Sequence, residues 1–276
     1  MVYWLNISKN LAESNLKNLD TDMDKLYYDS VAISEGKLTD TELVYRQGLF
    51  GIPSIFHPLV TNYYDAIESH IKPGMKVLEL GCGTGQHSGK LIEMGANLTV
   101  LDISNLSLKI CKRKHNQIKD LVCANIEEMP MPDESFDAIV SYGALSYGEP
   151  NKVNSEIFRL LKHGGTLIVR DTLNHNFAYK LGRWIEYKFG KRSKSTIEYM
   201  PNISRIKSIR KRFKSSELYF YGSYLWFFSP MSKIIGMSIA SNANSVAEQI
   251  FPSKKNSFGF ILICTKLMRS IEVPHL

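Results

Sequence analysis

From about residue 76 to residue 171 the chain alternates short apolar runs with amphipathic stretches. Apolar runs occur at 77–80, 98–101, 121–124, 136–141 and 166–170, and most end in turn-forming residues. Runs of this length, rich in Val, Leu and Ile, read as strands buried on both faces, as in a parallel sheet covered by helices. Between them, 106–114 and 153–162 carry apolar residues at helical spacing, and Gly164-Gly165 marks the expected end of the second helix. Two more strand patterns, 218–221 and 258–265, are expected to pair antiparallel. The pattern predicts an α/β fold: a doubly wound, seven-stranded, mostly parallel sheet with one antiparallel strand.

The flanks follow from the same pattern. Residues 22–34 and 58–70 predict helices in an N-terminal cover, 1–72, in which Tyr45, Phe50 and Phe56 are placed to close over a ligand. About 45 residues separate the fifth and sixth strands, far more than an ordinary β-α-β connection. Within them 176–189 and 203–213 predict two helices, so 172–216 reads as a helical insert. The cover, a core at 73–171, the insert and a C-terminal part at 217–276 form one domain of 276 residues.

The chemistry concentrates at 77–85, Val-Leu-Glu-Leu-Gly-Cys-Gly-Thr-Gly. A buried strand ending in alternating glycines makes a turn against which a ligand lies without a Cβ in the way. The helical pattern opening near Gln86 adds a helix N-terminus. Asp102 ends the second strand 21 residues after Gly81, the position from which a carboxylate takes hydrogen bonds from both ribose hydroxyls. Loop, spacing and acid together suit any nucleoside-bearing cofactor. Two details favour S-adenosylmethionine over a dinucleotide: the loop is E-x-G-x-G-x-G, and Glu79 within the strand suits a cationic amino-acid tail.

With these residues the segment 76–171 resembles the class I S-adenosylmethionine-dependent methyltransferases. Phe136-Asp137-Ala138-Ile139-Val140-Ser141 and the phrase L-L-K-H-G-G-T-L-I-V strengthen the resemblance, with His163 where the family has proline. The resemblance implies that Glu79, Gly81, Cys82, Gly83, Gly85, Asp102, Ile103, Asn125, Ile126 and Ser141 hold S-adenosyl-L-methionine and release S-adenosyl-L-homocysteine. Asn125 stands where the family usually has an acid, and its carbonyl can still accept from the adenine amino group. Ligands bind outside the carboxyl ends of such strands. That places Tyr142 against the acceptor and Asp171 and His175 in the loop after the fifth strand. His175 is the first candidate base because histidine titrates near neutrality, and Asn174 or Asn176 offers an N-cap for the next helix. His57, in the cover, is the second, and Asp171 orients His175 or binds substrate. No metal site is expected, since the four cysteines lack ligand spacing.

Charge adds one feature. The net charge is +7, yet residues 180–214 hold twelve Lys and Arg against Glu186 and Glu198, so the rest of the chain is slightly acidic. Arg183, Lys191, Arg192 and Lys194 are therefore candidates to hold a phosphorylated acceptor, with Asn174 beside them. The insert also resembles that of methyltransferases from bacterial surface-polysaccharide gene clusters. This implies O-methylation of a small anionic, sugar-like or phosphorylated acceptor, such as a glycan precursor. The alternatives are an RNA methyltransferase and a catalytically silent partner protein. Nucleic acid is disfavoured, because no helix-turn-helix, RRM, KH or zinc-finger pattern accompanies the charge. Trp184, Trp226 and Phe227 allow peripheral contact with anionic lipid. With no leader-like N-terminus and no apolar run of membrane-spanning length, a cytoplasmic setting is expected, some of it at the inner face of the membrane. The oligomeric state stays open.

Overall fold

The structure, a computed structural model, describes residues 20–45, 48, 49, 51–189 and 193–268, without the side chains of Val44 and Tyr45. Helix α1 covers residues 20–36, followed by α2 (Asp40–Tyr45) and α3 (His57–His70). The core runs β1 (Lys76–Leu80), α4 (Ser88–Glu93), β2 (Asn97–Asp102), α5 (Asn105–Lys114), β3 (Asp120–Cys123), β4 (Phe136–Tyr142), α6 (Pro150–Leu160) and β5 (Leu161–Thr172). The insert holds α7 (Phe177–Lys188), α8 (Lys194–Tyr199) and α9 (Ile203–Arg210). Then come β6 (Ser215–Tyr221), α10 (Leu225–Ile235), α11 (Met237–Ile250) and β7 (Gly259–Thr265).

The seven strands lie in the order β3-β2-β1-β4-β5-β7-β6. Strands β1 to β5 pair in parallel, and β7 runs antiparallel to both of its neighbours, β5 and β6. The expected fold, including its one reversed strand, is the fold observed.

Alternation along the strands divides the core into two layers. Val77, Val100, Val140 and Ile168 face α3, α4 and α5, meeting Tyr63, Ile67, Leu91 and Leu108. Leu78, Leu80, Ile139, Leu167 and Val169 face the other way, against Ile157 of α6 and Ile206 and Ile209 of α9. Each fully buried Leu or Ile contributes roughly 1.5–3 kcal/mol by leaving water. Both faces are covered, so all the β-α loops converge on one edge.

Three local expectations change. Helix α6 starts at Pro150, where Glu149 caps it by accepting from the Asn151 and Lys152 amides, and it ends at Leu160. Strand β5 begins at Leu161, ahead of the glycines, because Leu161 already pairs with Phe136 while Thr166 pairs with Ala138. The intervening residues bulge, and Gly164 takes the φ of +76° that the bulge needs. The insert has a third helix, α8, whose N-cap Ser193 accepts from the Thr196 amide.

Candidate active site

At the carboxyl edge, the loops after β1, β2, β3 and β4 border a crevice open to solvent. Gly81, Gly83, Asp102, Ile103, Asn125, Ile126 and Tyr142 line it, joined by Gly143 and Ala144. The glycine turn follows from its neighbours. Gly81 sits at φ +65°, and a Cβ there would lie 2.6 Å from the Ala144 methyl. Gly83 sits at φ +52° with open space where a Cβ would be. Asp102 is 7% exposed, and Oδ2 accepts from the Gly83 amide at 2.8 Å while Oδ1 accepts from the Ser104 amide at 2.9 Å. The acid therefore shapes the loop and faces the crevice together. With the Ile103 amide also bonding to it, the carboxylate still has acceptor capacity for a further donor. Burial raises the Asp102 pKa, and the backbone amides partly offset that.

Four residues expected at the cofactor do not line the crevice. Glu79 lies beneath the loop, 3% exposed, and accepts from Ser88 Oγ at 2.6 Å, tying β1 to the start of α4. Burial pushes its pKa to about 7. Cys82 points into the apolar layer under α5. Gly85 serves packing, since a Cβ there would lie 2.7 Å from Cys111 Sγ. Ser141 is wholly buried, and its Oγ has no hydrogen-bond partner. Asn125 Oδ1 accepts from the Glu127 amide at 2.9 Å, leaving one lone pair of that carbonyl for another donor.

The candidate bases lie apart from the crevice lining. His175 Nε2 pairs with the Lys254 carbonyl at 3.1 Å, and His57 Nε2 with the Ile52 carbonyl at 2.8 Å. Asp171 is 1% exposed and accepts from the Leu145 amide at 3.1 Å and the Thr172 amide at 2.6 Å. It fixes the turn after β4 and does not orient His175. His163 bridges the Leu267 carbonyl and Glu134, as a turn residue does.

Among the described residues, the insert cations do not converge. Arg183 is buried and donates to the Leu173 carbonyl at 2.6 Å and to Asn174 Oδ1 at 3.3 Å, while Asn174 Nδ2 donates to the Ile197 carbonyl. Both are ties within the insert. Lys194 is exposed and pairs with Glu198 at 3.6 Å. Arg205 is buried and donates to the carbonyls of Leu145 and Tyr199, at 2.8 and 2.6 Å. Lys191, Arg192 and Phe50 lie outside the described residues, as does the Tyr45 side chain. Phe56 packs near Phe258, away from the crevice. Trp184, Trp226 and Phe227 are partly exposed, and no helix among the described residues is long and apolar enough to cross a membrane.

The side chains that close the crevice come from α1: Thr21, Asp24 and Tyr28. Tyr28 OH donates to Tyr147 OH at 2.6 Å, and their rings meet edge to face at 5.5 Å. Asp24 accepts from Thr196 Oγ1 at 2.7 Å and from Ser193 Oγ at 3.1 Å, docking α1 on the N-terminus of α8. The tyrosines at 27 and 28 are the signal the sequence offers, but the partner of Tyr28 lies over a hundred residues away. Sequence reasoning also passes over a stack beneath the crevice. The His87 ring lies 4.0 Å from that of Tyr142, and His87 Nδ1 pairs with Tyr64 OH at 2.9 Å. Burial, helped by the nearby Arg170 charge, lowers the His87 pKa to about 3, so it is neutral at physiological pH. Across Tyr142, the Arg170 guanidinium lies 4.4 Å from the ring centroid.

Comparison with known proteins agrees with this geometry. Residues 78–169 match the family described as a methyltransferase domain. A demethylmenaquinone methyltransferase of Renibacterium salmoninarum is 35% identical over 106 residues, covering 38% of this chain and 44% of that protein. The chain thus spans less than half the length of such curated relatives. A phosphoethanolamine N-methyltransferase of Haemonchus contortus, solved with S-adenosyl-L-methionine, superposes with a TM-score of 0.55 at 17% identity, covering 83% of this chain and 58% of that one. A putative sarcosine dimethylglycine methyltransferase from Galdieria sulphuraria gives a TM-score of 0.53 at 17% identity, covering 76% and 84%. Residues 78–169 are thus similar to a methyltransferase domain, and the α/β sheet that carries them has the fold of these solved methyltransferases.

Proposed function

We propose that this chain is an S-adenosylmethionine-dependent methyltransferase whose acceptor meets the donor beside Tyr142. The observation that carries the reading is the crevice wall: Gly83 without a Cβ, the Asp102 carboxylate, and Asn125 and Ile126 on one rim. When bound, S-adenosylmethionine supplies an electrophilic methyl on a sulfonium centre. Asp102 would accept from the ribose hydroxyls, Ile103 and Ile126 would pack against adenine, and the Asn125 carbonyl would accept from its amino group. Helix α1 would shield the donor from water and hold it in line with the nucleophile.

The acceptor reading moves away from a sugar phosphate held by the insert. Arg183 and Arg205 are occupied inside the protein, and Lys194 is paired with Glu198. Tyr142 in the crevice is instead backed by rings, Tyr63 and His87 beneath it, with Phe258 beyond Arg170. The curated relative reported above is named for a quinone precursor. Both support a small planar acceptor in preference to a glycan precursor or RNA.

Titration calorimetry with S-adenosylhomocysteine tests the cofactor half. Wild-type protein is expected to bind, and Asp102→Ala to bind roughly thirtyfold more weakly, the loss of charge-assisted hydrogen bonds. No binding by wild type, or equal binding by the variant, overturns the reading.

A further inference from the structure

We infer that Arg170 is an oxyanion-binding residue of the acceptor site, taking a carboxylate-like group of the ligand that receives the methyl. The inference rests on the methyltransferase reading only for the identity of that ligand. Arg170 stands near the carboxyl end of β5, in register with Tyr142 of β4 on one side and Ile261 of β7 on the other. It is 6% exposed. Among the described residues no carboxylate pairs with it, and its Nε has no hydrogen-bond partner. The adjacent acid, Asp171, points to the opposite face of the strand and is held by the Leu145 and Thr172 amides. Among the described residues, Lys114 pairs with Glu35, Arg183 donates to a carbonyl, and Lys266 donates to the carbonyls of Phe158 and Leu161. Arg205 is anchored by two carbonyls through Nη1 and keeps Nε and Nη2 without partners, but it lies away from the rings around Tyr142.

Geometry says which part of the guanidinium is used. Its Cζ lies 4.4 Å from the Tyr142 centroid and 6.0 Å from that of Phe258. Stacking on rings uses the guanidinium faces and leaves its edge, where the N–H donors lie, for a planar pair of oxygens. Asp171 attracts Arg170 without a direct ion pair, and an anion carried in by a ligand would further offset the cost of burying the cation. Tyr142 lines the cofactor crevice, whereas Phe258 lines a second, aromatic pocket of about 480 Å³ with Phe56 and Tyr179. Arg170 borders neither pocket directly but sits within 4.4 Å of a ring of the first and 6.0 Å of a ring of the second. A ligand with an apolar body in the second pocket and an anionic end on Arg170 would bring its reactive atom to Tyr142. The same chemistry could come from the carboxylate of the cofactor's amino-acid tail, so the test separates the two sources.

Benzoate and its neutral isostere benzamide are titrated, followed by NMR line broadening, into wild-type protein, Arg170→Met and Arg170→Lys. Each titration is run with and without saturating S-adenosylhomocysteine. In parallel, calorimetry compares S-adenosylhomocysteine with 5′-methylthioadenosine, which lacks the amino-acid tail. The expected result is at least tenfold preference of wild type for benzoate over benzamide. The preference is expected to vanish in Arg170→Met and to persist, weakened, in Arg170→Lys. The ratio of the two nucleosides' affinities should stay within twofold. If Arg170→Met loses affinity for S-adenosylhomocysteine but not for methylthioadenosine, the anion belongs to the cofactor and the acceptor assignment is overturned. Equal affinity for benzoate and benzamide in wild type, including no binding of either, overturns the oxyanion site itself. Should Arg170→Met not fold, Arg170→Lys decides, because loss of the preference there, or its retention at full strength, contradicts bidentate recognition. The arm without cofactor reads the anion site even if wild type binds no S-adenosylhomocysteine, so failure of the enzyme reading is seen separately.

Discussion

The crevice has two walls of different make. The first is backbone: the turns after β1, β2 and β3, fixed by the parallel register from Lys76↔Asn97 to Leu80↔Leu101 and by Asp102 gripping the Gly83 amide. The second is helix α1, which presents side chains and rests on polar contacts: Tyr28 to Tyr147, Asp24 to Thr196, and Asp29 accepting from Ser104 Oγ at 2.5 Å. On α1, Leu26, Tyr27 and Ile33 stay exposed, and Ala32 is its one fully buried apolar residue. A wall set by sheet register cannot shift without loss of the fold. The first turns of α1, held by side-chain hydrogen bonds worth about 1 kcal/mol each, can swing away at modest cost, pivoting on the buried Glu35–Lys114 pair at the other end of the helix. The contrast assigns recognition of the nucleoside to the first wall and admission of it to the second.

The sharpest way to break this contrast is Gly81→Ala. The new methyl would lie 2.6 Å from Ala144 Cβ at a φ of +65°, so loop and β4 turn must separate. Destabilisation of about 2–3 kcal/mol is expected by urea denaturation, with cofactor binding lost at neutral pH. A pH-dependent effect of similar size, without loss of the cofactor crevice, is expected beneath the same wall. Glu79 has its pKa raised from 4.5 to about 7, chiefly by burial. Between those values the folded state holds a proton that the unfolded chain has released. The Glu79 contribution to stability is therefore complete below about pH 4.5, falls as pH rises to 7, and is flat above. The span is roughly 3 kcal/mol. Glu79→Gln should flatten that part of the stability profile and leave the variant more stable than wild type at pH 8. An unchanged slope would show that Glu79 is ionised in the fold. The smallest effect belongs to the second wall. Tyr28→Phe removes the 2.6 Å bond to Tyr147 and keeps the ring contact. Stability should change by about 1 kcal/mol or less, while S-adenosylhomocysteine leaves two- to fivefold faster in stopped flow. A large loss of stability would make α1 part of the rigid frame.

The same contrast explains what the sequence discloses. The first wall is legible because its parts are local: glycines at alternate positions, an acid 21 residues on, and strands whose apolar runs need covering on both faces. The second wall is assembled across 119 residues at Tyr28–Tyr147 and 172 at Asp24–Thr196, and no short pattern encodes such pairs. Helix α8 did carry a signal, a serine three residues before Thr196, which the density of lysines around it obscures. The early start of β5 is not legible, because Gly164-Gly165 marks a helix end and a strand bulge equally well. Histidines were weighted as bases for their titration range, yet His175 and His57 satisfy backbone carbonyls. Arg170 ends a predicted strand, and only the three-dimensional arrangement shows that its Nε lacks a hydrogen-bond partner among the described residues.

The position of β7 bears on how the chain is made. It is the last strand in order, yet it is hydrogen-bonded along both sides, to β5 and to β6. Until residues 259–265 leave the ribosome, the nascent polypeptide carries two open strand edges with nothing between them. A stall or truncation short of that point would not yield a slightly shortened enzyme. It would leave a sticky intermediate, and chaperone occupancy during synthesis should peak in that window.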